Sequence, residues 1–302
     1  MIKTANFPAS VWDGLTNFRE DRRTNSAPDS EDWDEMTAEL LAIATSLVGL
    51  AADTIVWVAP WGVAATATGS MTNPYRTIAA ALAATTSLKK TVCLHPGTYT
   101  LAAAVDIPGT LSGLKIIGIG GSEVTKVDQA ADFNAFEYTP AQAALRVLTI
   151  QGIEVLQYAG KVGLAVDDTG HSVAGITVNL NDVKLTMDTT GDSIDTVHAV
   201  AIPVILNMVD CVCTGLVDID IINAGDRVNV DRSDLGTAGV TLSAGAVAAA
   251  TTFKHSVLKN GGDMTSAAEQ SINSIYCSCE DYSLVASADL SGATATENIV
   301  GS

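Results

Sequence analysis

Thr54-Ile55-Val56-Trp57-Val58, a Gly/Thr/Ser-rich loop ending at Asn73-Pro74, Tyr75-Arg76-Thr77-Ile78-Ala79-Ala80-Ala81-Leu82, and Thr91-Val92-Cys93-Leu94-His95-Pro96-Gly97-Thr98-Tyr99 follow one another within residues 54 to 101. The first and last pieces are short, rich in β-branched residues and bounded by turn formers, so they read as strands. The Ala-rich piece between them reads as a compact helix. Strand, loop, short helix, strand and Pro-Gly turn is an order that starts a stack of parallel strands. If it does, the chain beyond it must repeat.

It does repeat. Leu148-Thr149-Ile150-Gln151-Gly152-Ile153-Glu154-Val155 alternates apolar and polar residues, breaks at a two-residue spacer, and alternates again. The texture returns in Val178-Asn179-Leu180-Asn181-Asp182-Val183-Lys184-Leu185 and in Leu206-Asn207-Met208-Val209-Asp210-Cys211-Val212-Cys213. Weaker copies run over Val228 to Leu235, Thr251 to Leu258 and around Ile275 to Cys279. Ile150, Leu180, Met208, Val230, Phe253 and Ile275 take matching positions about 22 to 30 residues apart, the period of one rung with loops of varying length. Alternation sends one set of side chains inward, and the spacer marks a corner between two faces. The fold class expected is all-β: a right-handed parallel β-helix over residues 51–282, with Ile78–Leu82 as a short N-terminal capping helix. An antiparallel sandwich is the alternative; it predicts more Asn-Gly hairpin turns and more evenly short strands.

The chain has 302 residues, a formal net charge of −18, 47% hydrophobic residues and only 5% aromatic ones. Its core must come from Val, Ile, Leu and Ala, which suit closely stacked strands. The negative charge argues against nucleic-acid binding, because a chain with 34 acidic and 16 basic residues gains nothing overall from neutralising phosphate. The five cysteines are Cys93, Cys211, Cys213, Cys277 and Cys279. An odd count with Cys-x-Cys spacing argues against a disulfide framework and for reduced, small apolar residues assembled in a cytoplasm. A zinc site is the alternative, but the spacing is not Cys-x-x-Cys and nearby histidines are lacking. No metal or cofactor is expected. Met1 to Pro8 lacks the apolar core of a signal peptide, and no run of about 18 apolar residues suggests a membrane span.

Residues 1–28 are polar and irregular, with Phe7, Trp12 and Phe18 as scattered apolar anchors. Such a segment is expected to order against a partner surface. A helix should start near Asp29 or Ser30, where Glu31, Asp32, Asp34 and Glu35 suit the positive end of the helix dipole. Over residues 29–50, Trp33, Met36, Leu40, Ile43, Leu47 and Leu50 follow a 3-4-3-4-3 spacing, the apolar seam of a coiled coil. A single amphipathic helix packed on its own domain is the simpler alternative. Residues 283–302 read as a polar C-terminal cap or tail.

Residues 54 to about 125 resemble the opening of the pectate-lyase-like, single-stranded right-handed β-helix superfamily. The carriers are Asn73-Pro74-Tyr75-Arg76-Thr77-Ile78, Val92 to Tyr99, and Ile116-Ile117-Gly118-Ile119-Gly120. That superfamily holds lyases, hydrolases and inert structural members, so the resemblance implies fold more than activity. Asn6-Phe7-Pro8-Ala9-Ser10-Val11-Trp12-Asp13, the Asn17-Phe18 step and Ser30-Glu31-Asp32-Trp33 are similar to the start of many bacteriophage virion appendage proteins. Those chains attach by such an arm and form trimers, although here Asp and Trp replace the usual His-rich helix start. Together the two resemblances imply a homotrimeric virion structural protein: a short tail fibre, a spike, or a capsid or tail decoration. It would assemble in the host cytoplasm, bind other phage proteins through its arm, and meet host surface glycans during attachment.

An enzyme on the same fold, a polysaccharide-degrading tailspike acting as hydrolase or lyase, needs two carboxylates facing one groove. Asp182 and Asp210 take similar positions on successive rungs and would stack at about 5 Å; Asp231 and Asp234 follow on the next. The alternative is a solvated acidic ladder or turn caps. Arg227, Arg232, Lys254 and His255 are the basic residues a lyase could draw on, in no specific pattern. Gly118-Ile119-Gly120-Gly121 lacks the helix and acidic partner of a nucleotide loop and reads as a strand ending in a tight turn.

Overall fold

The computed structural model describes residues 54–63, 66–140, 145–167, 175–187, 192–197, 203–221, 225–235, 240–244, 250–259, 271–275 and 278–280. The chain divides into two units, Met1–Thr54 and Ile55–Ser302. The expected arm, the heptad helix and the C-terminal tail lie outside the described residues.

The second unit is mostly β, with long parallel sheets, an arrangement compatible with a β-helix-like all-β fold. Its strands form three parallel ladders. The first joins β1 (Ile55–Val58), β2 (Thr91–Leu94), β5 (Leu114–Gly118), β8 (Arg146–Gln157), β10 (Ile176–Met187), β12 (Val204–Val209), β15 (Arg227–Asp231), β18 (Ala250–Lys254) and β20 (Ser271–Ile275). The second joins β3 (Gly97–Thr100), β6 (Thr125–Asp128), the later halves of β8 and β10, β13 (Val212–Cys213), β16 (Asp234–Leu235), β19 (Val257–Lys259) and β21 (Ser278–Glu280). The third is a separate six-stranded sheet of β4 (Val105–Ile107), β7 (Phe136–Tyr138), β9 (Leu164–Asp167), β11 (Asp192–Val197), β14 (Leu216–Ile221) and β17 (Val240–Ala244).

Register turns the sequence repeat into columns. Val56, Val92, Ile116, Ile150, Leu180, Met208, Val230 and Phe253 stand in one column of the first ladder, and all are buried. Tyr99, Val127, Val155, Leu185, Cys213 and Leu235 form the inward column of the second. Val105, Phe136, Leu164, Ile194 and Val217 form that of the third. Each fully buried aliphatic side chain contributes about 1.5–3 kcal/mol. A shift of one residue would turn a whole column outward, so burial fixes the register.

One position departs from the sequence expectation. Phe253 pairs with Ser274, and Ile275 pairs with Lys254. Ile272 and Ile275 are three residues apart, so a period of two can bring only one into phase with the inward column. The register sets Ile272 opposite Thr251 and leaves Ile275 one residue beyond the matching position.

Helix α1 (Ile78–Ala83) begins at Thr77, whose Oγ1 accepts a hydrogen bond from the Ala80 N–H at 3.2 Å, and it buries Ile78, Ala81 and Leu82. The loop before it lies along β1. Trp57 N–H donates to Gly69 O at 2.8 Å, while Tyr75 N–H and Ala59 N–H donate to Trp57 O and Tyr75 O at 2.9 Å. Among the described residues no helix is long and apolar enough to cross a membrane.

Candidate functional site

The polar side chains that could do chemistry gather at the corner between the first and second ladders. β8 and β10 pass through both ladders as single 12-residue strands, so the backbone must bend within them. It bends at Gly152 (φ +67°) in β8 and at Asp182 (φ +50°) in β10. The corresponding residues of the next rungs, Asp210, Arg232 and His255, have φ of 54°, 48° and 47°. Gly152 is required at its place: a Cβ there would lie 2.6 Å from the Gly118 carbonyl oxygen. The others are non-glycine residues in the left-handed region, which costs roughly 1–2 kcal/mol each.

Inside the corner, the residue after each left-handed one points into the core: Ile153, Val183, Cys211, Ser233 and Ser256, all buried. The last three satisfy the bend's own main chain. Cys211 Sγ and the Ser233 and Ser256 hydroxyls donate to the carbonyls of Val209, Asp231 and Lys254, two residues back, at 3.4, 2.9 and 2.7 Å. Ser233 Oγ also accepts from Cys211 N–H at 3.0 Å, and Ser256 Oγ from Ser233 N–H at 3.3 Å. Burial pushes the Cys211 thiol up to about 11, so it stays protonated and unreactive.

Outside the corner, Arg232 grips Asp210 with two parallel bonds, Nε to Oδ1 at 2.8 Å and Nη2 to Oδ2 at 2.9 Å. Its Nη1 donates to Asp231 Oδ2 at 3.0 Å, and His255 Nδ1 lies 3.1 Å from Asp231 Oδ1. The Arg232 guanidinium holds the Asp210 carboxyl below the usual carboxylate range. Asp182 accepts from the Ser122 hydroxyl at 2.8 Å and the Ser122 N–H at 3.2 Å. The two carboxylates expected from sequence as an alternative catalytic pair therefore do occupy equivalent corner positions. Each is committed to a different partner: Asp210 to a bidentate ion pair, Asp182 to a loop.

A second polar cluster lies nearby. Glu154 is buried between two lysines of adjacent rungs, Lys126 Nζ at 2.7 Å and Lys184 Nζ at 3.2 Å, and the Thr186 hydroxyl donates to it at 3.1 Å. Burial works against the charge, but these hydrogen bonds outweigh it and hold the carboxyl below its ordinary range. Near the start of the stack, the His95 ring lies 5.1 Å from that of Trp57 and 5.6 Å from that of the exposed Trp61.

Phe7, Trp12, Phe18, Trp33, Met36, Leu40, Ile43, Leu47 and Leu50, expected to carry attachment and trimer contacts, lie outside the described residues. Among the described residues no group of three His, Cys, Asp or Glu side chains could hold a metal ion. The spacer placed the corner in the sequence, but its left-handed backbone and the role of Glu154 were not read there. The signal for the first was present: a polar or glycine residue at the same place in every two-part repeat. No family model, no curated protein and no solved structure matches this chain.

Proposed function

We propose that this chain is a structural bacteriophage virion protein, a homotrimeric short fibre, spike or decoration. Residues 1–28 anchor it to the particle and the seam of residues 29–50 sets the three-fold. In this reading the body is a right-handed parallel β-helix, with α1 as its N-terminal cap and its sides available to host glycans. The observation that carries the reading is the three-ladder parallel stack, taken with the likeness of residues 6–50 to virion appendage proteins. A stack of this kind supplies a long, stiff body that contacts other molecules through its sides. The corner chemistry favours architecture over catalysis, because Asp210 and Asp231 are both engaged by Arg232.

Native mass measurement of the full chain tests the assembly, with a trimer expected; a clean monomer at micromolar concentration sinks it. Deleting residues 1–28 should abolish incorporation into particles while leaving the far-ultraviolet spectrum of the body unchanged. Release of oligosaccharides from a host polysaccharide, abolished by Asp182→Asn or Asp210→Asn, would replace this reading with the enzymatic one.

A further inference from the structure

The outward side of the first ladder differs from the rest of the stack. Where β8, β10 and β12 lie side by side, Leu148, Ile150, Val178, Leu180, Leu206 and Met208 point inward and are buried. The alternate positions face outward. The central outward column is Thr149, Asn179, Asn207 and, one rung on, Asn229. Val147, Thr177 and Ile205 flank it on one side; Gln151, Asn181 and Val209 flank it on the other. None of these outward residues of the first ladder carries a charge, in a chain of net charge −18. Charge returns at the rims, with Lys115 on β5 and Arg227 and Asp231 on β15. The third ladder is the opposite case: Asp106, Glu137 and Asp195 share one of its outward rows.

The amides of the central column form a polarised chain. Asn229 Nδ2 donates to Asn207 Oδ1 at 2.9 Å, Asn207 Nδ2 to Asn179 Oδ1 at 2.8 Å, and Asn179 Nδ2 to Thr149 Oγ1 at 3.4 Å. A carboxamide has two N–H donors and two acceptor lone pairs. Within the column Asn179 and Asn207 each use one of either kind, so each rung keeps one donor and one acceptor for an outside molecule. Rungs repeat at about 4.8 Å. Donors and acceptors alternating at that interval, beside aliphatic Ile205 and Val209, form a template for a ligand with hydroxyls and C–H faces in regular succession.

Three arguments narrow the occupant. An anionic polymer would meet a strongly negative protein through a patch without a cation. A folded protein needs about 800 Å² on each partner, whereas three strands by five residues offer roughly 200–250 Å². A small isolated molecule would use one rung and gain nothing from the repeat. We infer that the outward side of β8, β10 and β12 binds an extended, neutral polysaccharide lying along the stacking direction, its hydroxyls hydrogen-bonded to the outer amide groups of Asn179 and Asn207. This deepens the appendage reading and rests on it, by assigning the glycan contact to one side of the stack.

Affinity electrophoresis of the full chain through gels containing galactomannan, hydroxyethylcellulose or alginate tests it. Retardation by a neutral polymer and none by alginate is expected. Asn207→Ala and Ile205→Glu should each weaken retardation about tenfold or more, while Glu137→Gln on the third ladder should leave it unchanged. Ile205→Glu leaves every amide of the column in place, so it keeps the test decisive if Asn207→Ala unfolds. No retardation in either neutral gel, retardation in alginate, or retardation indifferent to both first-ladder substitutions overturns the assignment. A trimer that joins particles yet ignores both neutral polymers overturns this site alone; a monomer retarded through Asn207 upholds the site and sinks the appendage reading.

Discussion

The corner at Gly152 and the corner at His255 turn the backbone through the same left-handed conformation by different means. Gly152 has no Cβ to strain, and the residue after it, Ile153, is an apolar side chain in the core. His255 carries a side chain through the same bend, and Ser256 follows it into the core with a hydroxyl that donates to Lys254 O. Between them the inward column passes from Ile153 and Val183 through Cys211 to Ser233 and Ser256. At the corner itself, the Gly152 rung is held by apolar burial without strain, and the Asp182 rung pairs the same apolar burial with left-handed strain. The corners of the later rungs carry that strain too and replace the apolar side chain with hydrogen bonds of about 1 kcal/mol net each. The later rungs should loosen first.

The largest effect that would break this comparison is expected at Ile153. It lines an apolar void of about 10 Å³ together with Ile150, Val155, Leu180 and Val183. Ile153→Ala enlarges that void and should destabilise the fold by about 2–5 kcal/mol, read from the denaturation midpoint. An effect below that of Ser233→Ala would remove the contrast between the two ends. Glu154→Gln comes next, at roughly 1.5–3 kcal/mol, since it leaves two lysines facing each other without their shared anion. The sign of its shift sets the pH dependence. Glu154 has a carboxyl pKa depressed by folding, so its contribution is complete above the unfolded value of about 4.3 and is lost as pH falls through the folded value. Acid titration of the wild type should therefore show a destabilisation below about pH 4 that is shallower in Glu154→Gln.

Ser233→Ala should cost about 1 kcal/mol, because it removes a buried hydroxyl that serves two main-chain groups at once. His255→Gly carries the smallest expected effect and the opposite sign. Relief of the left-handed strain should offset the lost contact to Asp231 and raise stability by up to about 1 kcal/mol. Destabilisation by His255→Gly would show that the Asp231 contact outweighs the strain. Hydrogen exchange sharpens the comparison further: amides of β15 and β18 should exchange before those of β8 and β10.

The first two ladders were legible in the sequence because each repeat unit, such as Leu148 to Val155, spells both faces and the spacer between them. The parallel pairing of β1 with β2 and the short helix at Ile78 were legible from residues 54–101 for the same reason. The third ladder was not read. Its strands are as short as Val105-Asp106-Ile107 and Phe136-Glu137-Tyr138, three residues with one alternation each, and the loops around them vary in length. The equivalence of Asp182 and Asp210 was visible as spacing. Their separate commitments were not, because Ser122 lies 60 residues from Asp182 along the chain and Arg232 lies 22 from Asp210. The amide column was in plain sight as Asn179, Asn207 and Asn229, but only register shows that these residues touch. The slip at Ile275 has the same origin: two isoleucines three residues apart offer two phases, and only the strand register, which sets Ile272 opposite Thr251, selects one.

The loop that donates to and accepts from β1 leaves its outer rim without a row of vacant main-chain groups. An incoming strand, whether from a neighbouring molecule or a misfolded chain, finds no ladder to extend there, so fibrous growth has no seed at that strand. Synthesis also delivers this end of the stack before the rest. With one rim of β1 closed by residues 69–75, β2 can join only on the other, and each later strand inherits that direction. Were strands to add as the ribosome releases them, the first ladder would grow in one direction only, away from the covered rim of β1.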